Sequence, residues 1–182
     1  MEQFNELQLV KRRFFAMRNG VIADTLRKAG SPYKIIFGLN LPQISDIALE
    51  TGKNEDLARR LWANNSTRES MLMAPMIMPT ESMAMEEAEK WVEESPAVET
   101  TDILCHRLLR NLPYAYDLAK RLMADGMCDM KHYAAMRILW HFLSSNQEEI
   151  LSMARNEYKR NNPMTIGCAR QIIDEIEFLN EE

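Results

Sequence analysis

Cysteine, glycine and proline are scarce in this 182-residue chain, at 3, 6 and 7 residues. Three thiols, odd in number and without C-x-x-C spacing, exclude a disulfide framework and fit a reduced, cytoplasmic protein. Cys105, His106, Cys128, His132, His141 and Cys168 show no metal-ligand spacing, so neither a metal nor a cofactor is expected. Valine and threonine are sparse, and no alternating run of four or more β-branched residues occurs, which leaves a sheet without support. No stretch approaches the roughly 18 apolar residues of a membrane span. The charged start, MEQFNELQLVKRR, lacks the apolar core of a signal peptide. What is abundant is Ala, Leu, Met, Glu, Arg and Lys, the set that favours helix.

Net charge is −5, unevenly spread. Residues 81–99 hold seven acids against Lys90, and residues 171–182 hold five acids and no base. The segments 1–80 and 100–170 each carry a net +3. An acidic total therefore leaves room for a basic face, although a solvated helix surface has the same composition.

The stretch 97–126 reads as two helices joined at Asn111-Leu112-Pro113. Leu104, Leu108 and Leu112, widened by Ile103 and Leu109, form an apolar stripe at helical spacing. Val98, Asp102, His106 and Arg110 recur every fourth residue and stack as a second column. Pro113 opens the second helix, where its missing N–H has no helical partner to lose. Elsewhere a helix is expected over 2–18, with Phe4, Leu7, Val10, Phe14 and Met17 inward. Residues 30–40 read as a loop, and Asn54 as a cap for the helix that follows. Ser66–Glu69 has capping-box spacing, and Pro75 falls inside a helix. Six methionines between 71 and 85 read as core filling more readily than as an adaptable partner surface.

Helix pairs restart near Ser66, Thr100, Lys131 and Thr165, a period of about 34 residues. No pair can bury its apolar face alone, so neighbours must stack. The expectation is an all-α, HEAT-like solenoid wound as a right-handed α–α superhelix. It forms a single domain over 1–182, with N-terminal helices over 1–65, pairs at 66–95, 97–126 and 129–160, and a last helix over 163–182.

The segments LARRLWANNSTRESMLMAPMI and RNLPYAYDLAKRLM, with the Trp-containing helix and the T-T-D helix start between them, resemble the bacterial DNA alkylation repair family. The resemblance covers roughly residues 20–145. It implies a HEAT-like repeat fold and DNA as partner. Active members are DNA glycosylases that release cationic alkylpurines, and they share a W-W-D-x-V-D stretch whose second Asp is catalytic. The matching residues are Ala97-Val98-Glu99-Thr100-Thr101-Asp102. Asp102 occupies the catalytic position, while Ala97 and Val98 stand where the two aromatic rings would be. A carboxylate stabilises the charge that builds on the sugar, and electron-rich rings hold a cationic base. With only the first part kept, weak or absent excision is expected. His106, Tyr133 and Trp140 are candidate groove residues. Lys11, Arg12, Arg13, Arg107, Arg110, Lys131 and Arg137 are candidate phosphate contacts. The alternative is a catalytically silent helical scaffold for a protein partner, with an apolar or acidic binding face.

Overall fold

The computed structural model describes residues 5–126 and 128–181. Phe4, expected inward, lies outside the described residues. The described residues contain eleven α-helices and no strand. A single parallel bridge joins Ile35 to Thr67. Among them no helix is long and apolar enough to cross a membrane. The chain divides into two compact units, 1–82 and 83–182.

The first unit holds α1 (Glu6–Ala16), α2 (Gly20–Lys28), α3 (Leu41–Thr51), α4 (Glu55–Ala63) and α5 (Arg68–Ile77). Asn5, Asn19, Asn40 and Asn54 each cap the helix that follows with the side-chain oxygen. Val10 and Phe14 of α1, Ile44 and Ile47 of α3, Leu57, Leu61 and Trp62 of α4, and most of α5 are buried. Burying each such side chain stabilises the unit by about 1.5–3 kcal/mol relative to exposure. Of the six methionines between 71 and 85, Met71, Met73, Met78 and Met83 are fully or almost fully buried, so this run is core.

The expected capping box at 66–69 is not formed: Thr67 is the N-cap of α5 and makes no side-chain cap. Glu69 points elsewhere, into the loop between α2 and α3. Its carboxylate accepts the backbone N–H groups of Phe37 at 3.1 Å, Gly38 at 2.9 Å and Leu39 at 3.4 Å. The Arg68 guanidinium donates to Glu69 at 3.2 Å and to the Leu39 carbonyl at 3.0 Å. Both side chains are almost wholly buried, which is tolerable only because each is paired and hydrogen-bonded.

The second unit holds α6 (Met85–Glu94), α7 (Val98–Arg107), α8 (Ala115–Ala124), α9 (Asp129–Leu139), α10 (Gln147–Arg160) and α11 (Ile166–Leu179). Pro113 lies in the turn, two residues before α8 begins. The column drawn from Val98 to Arg110 also breaks, because α7 ends at Arg107 and Arg110 sits in a 3₁₀ turn over Leu109–Asn111. The densest packing joins α8 to α9 and α10 to α11, and α9 also packs against α7 and α11. In the first unit the densest packing joins α4 to α5. The pairs expected at 66–95, 97–126 and 129–160 group these helices one step out of phase with that packing. Thus α7, α9 and α11 lie side by side, and what their common face carries is the candidate site.

Candidate nucleic-acid interface

Asp102 stands in the middle of α7, and Tyr133 and Arg137 are one turn apart on α9, so both reach the same neighbour. One Asp102 oxygen, Oδ1, accepts the Tyr133 hydroxyl at 2.9 Å and forms an ion pair with Arg137 Nε at 2.9 Å. About a third of the Asp102 side chain remains exposed. Burial, and then the hydrogen bond and charge of Asp102, raise the Tyr133 phenol above its ordinary range, so it stays a donor. Burial lowers the Arg137 pKa, but the charges around it together outweigh burial, Asp102 first among them, and the net shift is upward. Cys105, one turn along α7, is buried with its thiol 3.7 Å from the Ala134 carbonyl, and burial pushes that thiol well up. Cys168 brings α11 to the same place: burial raises its thiol, against a smaller lowering by the neighbouring Arg137 and Tyr133. Both thiols are therefore protonated at neutral pH and are not nucleophiles.

Beside this cluster lies a cationic surface made by His106, Arg107, Arg110 and His141. Arg110 Nη1 is 3.4 Å from His141 Nε2. Burial lowers the His106 pKa, and Arg110, Arg107 and Arg137 push it further down against a smaller opposing pull from Asp102. His141 is lowered by burial, then by Arg110, His106 and Arg137. Burial first, and then the neighbouring guanidiniums, keep both imidazoles from protonating, and a phosphate placed there would relieve the repulsion among the cations.

The remaining candidates are placed differently. Lys131 is corrected: it is buried, and its ammonium is held by Glu89 at 2.9 Å, Glu93 at 2.6 Å and Asp125 at 2.8 Å. Burial alone would lower its pKa, but those hydrogen bonds raise it well above the ordinary value. A cation enclosed by three carboxylates does not meet a phosphate. Trp140 is not on α9. It opens a 3₁₀ turn, is 39% exposed, and lines a shallow depression of about 400 Å³ with Arg137, Gln171, Asp174 and Glu175. Lys11, Arg12 and Arg13 lie on α1 of the first unit. Lys11 donates to the Asn64 side chain at 3.2 Å, and Arg13 is paired with Glu50. Ala97 is the N-cap of α7, and Val98, its first residue, is 38% exposed. His141, beside Arg110, and Cys168, beside Arg137 and Tyr133, join this neighbourhood although neither was among the sequence candidates for it. The available signal for His141 was its position four residues after Arg137, on the same side of the chain. Among the described residues no group of three His, Cys, Asp or Glu side chains is arranged to hold a metal ion.

Asp102 and its donors have a chemical consequence. A guanidinium 2.9 Å from the carboxylate offsets the negative charge that an oxocarbenium-like sugar would need. The cluster is therefore close to neutral, its carboxylate already engaged, beside the cationic surface of Arg107 and Arg110.

A family model described as DNA alkylation repair enzyme matches residues 10–165. No curated protein matches. One solved structure has a TM-score of 0.79 at 17% identity, over 91% of this chain and 73% of the other. It is described as belonging to a new family of proteins related to the HEAT-like repeat DNA glycosylases with affinity for branched DNA structures. The shared architecture is a HEAT-like helical repeat.

Proposed function

Because the chain belongs to the DNA alkylation repair enzyme family, we propose that it is a DNA-binding member that holds duplex DNA without excising a base. The observation that carries this reading is the double engagement of Asp102 by Arg137 and Tyr133 beside a surface of His106, Arg107, Arg110 and His141. The guanidiniums suit phosphates, and no base-reading pattern accompanies them, so recognition follows charge and shape. The structurally similar protein, from a family with affinity for branched DNA, supports the same class of partner. Asp102 acts as the anchor that orients Arg137 rather than as a catalytic residue. With Val98 in place of a ring, nothing at the start of α7 stacks on a cationic base.

The test pairs two measurements. Binding of a labelled duplex should weaken with salt at a log–log slope of about −3, as three or four phosphates release their counterions. That corresponds to a loss of roughly 60-fold between about 50 and 200 mM salt. Arg110→Glu should abolish most of this binding. On duplex containing 7-methylguanine, native protein and Asp102→Asn should both release base at the uncatalysed rate. Release by the native protein that the substitution abolishes would make Asp102 catalytic and overturn the reading. Absence of duplex binding at low salt would leave the protein-scaffold alternative.

A further inference from the structure

The first unit contains a cavity of about 660 Å³ between the end of α1, the start of α2 and the loop before α3. Three cations line it, Arg18, Arg27 and Lys34, and no carboxylate does. Apolar side chains share the lining, Phe15, Ile35, Ile36 and Phe37 with Ala16 and Ala23. Phe15 is 56% exposed and Ile35 41%, a cost in water that a ligand would remove. Neither the surface around Asp102 nor any residue assigned above uses this site.

Its platform is built from α1. The Arg18 guanidinium lies 3.9 Å from the Phe15 ring centroid and donates to the Phe15 carbonyl at 2.8 Å. A guanidinium held over a ring offers a cationic stacking surface. Arg27 is steered by a 3.4 Å bond to the Ile36 carbonyl. It also pairs with Asp24 at 2.9 Å, an exposed pair that a phosphate can displace at little cost. Lys34 is exposed at the loop tip.

The opposite wall is preformed. Gly38 has φ +83, and a Cβ there would lie 2.1 Å from the Asn19 carbonyl oxygen, so the loop is pressed against the start of α2. Asn19 donates its backbone N–H to the Phe37 carbonyl at 2.8 Å. From the core side, Glu69 holds three consecutive loop N–H groups. The bonds Ile35 N–H to Ser66 carbonyl and Arg68 N–H to Ile35 carbonyl complete the clamp. An eleven-residue loop pinned by a buried ion pair keeps Lys34, Ile35 and Phe37 in place before any ligand arrives, which lowers the entropy cost of binding.

We propose that this cavity binds an unpaired nucleotide, its base stacked on the Phe15–Arg18 platform and its phosphate held by Arg27 and Lys34. This rests on the DNA-binding reading above and adds a second contact of different chemistry. A duplex offers phosphates but keeps its bases stacked, whereas a single strand or flap offers both a π-face and a phosphate. The absence of any acid in the lining suits a polyanion, and the exposed ring distinguishes a nucleotide from a bare anion.

The experiment uses the full chain and three probes: labelled oligothymidylate of about 12 nucleotides, blunt duplex, and duplex with a single-stranded flap. The variants are Phe15→Ala and Lys34→Glu, both at exposed positions, with thermal melting to verify that each remains folded. Oligothymidylate affinity should fall about tenfold in each variant, flap affinity should drop to that of blunt duplex, and duplex affinity should stay unchanged. Unchanged oligothymidylate and flap binding, with duplex binding intact, would overturn the cavity assignment alone. Loss of duplex binding in parallel would show a general charge effect and overturn it too. Displacement of oligothymidylate by poly-glutamate at equal charge would reduce the cavity to an anion patch. If the native chain bound no DNA probe, the DNA-binding reading itself would fall.

Discussion

Glu69 in the first unit and Lys131 in the second are both charged side chains taken almost wholly out of water, yet they organise their surroundings in opposite ways. Glu69 is an acceptor among donors. Its partners are three backbone N–H groups of one loop and the Arg68 guanidinium, all fixed and all close to the core. Lys131 is a donor among acceptors. Its three carboxylates come from α6 and from the turn after α8, and Glu89, Glu93 and Asp125 keep 17%, 50% and 37% of their surface in water. One arrangement shapes irregular backbone that no helix ladder could satisfy. The other ties regular helices together. The difference teaches that a buried charge is costly to remove in proportion to how little its partners can recover from solvent.

That comparison is broken most directly at Glu69. In Glu69→Ala the three loop amides and Arg68 lose their acceptor, and none of them can reach water without opening the loop. A loss of about 3–5 kcal/mol is expected in urea unfolding. Glu69→Gln keeps one acceptor oxygen and should recover about half of it. A loss under about 1 kcal/mol in the alanine variant would mean that packing, not the carboxylate, holds residues 37–39.

Lys131→Met sharpens the same contrast from the other side. Met keeps the apolar stem, and the three carboxylates it abandons can rehydrate, so about 1–3 kcal/mol should be lost, less than at Glu69. In the native chain the hydrogen bond from Lys131, opposed by burial, holds the Glu89 carboxyl below its ordinary range. A carboxyl depressed in the folded state contributes stability above its unfolded value that is lost as pH falls through the folded one. The variant lacks that contribution. The stability gap between native and Lys131→Met should therefore narrow as pH drops below about 4.5, measured as paired urea midpoints. A constant gap would mean that Lys131 stabilises by packing alone.

These two residues also mark where the amino-acid sequence was legible and where it was not. Helix positions follow from apolar spacing and caps. Asn54 caps α4 as expected, its side-chain oxygen accepting the Leu57 N–H, because a cap is a local property. The direction of a polar side chain is not local. Ser66–Glu69 has the spacing of a capping box, but a loop some thirty residues earlier offers Glu69 three amides instead of one. Lys131 reads as a phosphate contact until Glu89 and Glu93, part of the acidic run at 81–99, turn out to face it. The phase of the helix pairs was hidden for a related reason. A turn that folds two helices face to face looks like one that passes the chain to the next pair. At the site, Asp102 and its candidates Tyr133 and Arg137 were nameable, but their convergence depends on how α7 sits against α9, and Cys168 enters only through α11.

The smallest expected effect separates the two units by their titration. All three histidines belong to the second unit: His106, His132 and His141. His106 and His141 are held below the ordinary imidazole range, first by burial and then by neighbouring guanidiniums. With a folded value below the unfolded one, the unfolded chain binds more protons, so these two residues remove stability as pH falls below about 6.5. Bound phosphates reverse the sign by raising both values, so proton uptake accompanies binding and duplex affinity should rise as pH falls. An increase of about two- to threefold is expected between pH 7.5 and 6.0, and His141→Gln should flatten most of it. The cavity of the first unit has no histidine in its lining, so binding of oligothymidylate there should stay level across the same range. Equal pH dependence for the duplex and the single strand would mean that both probes contact the surface beside Asp102, and the separation of two binding chemistries would fail.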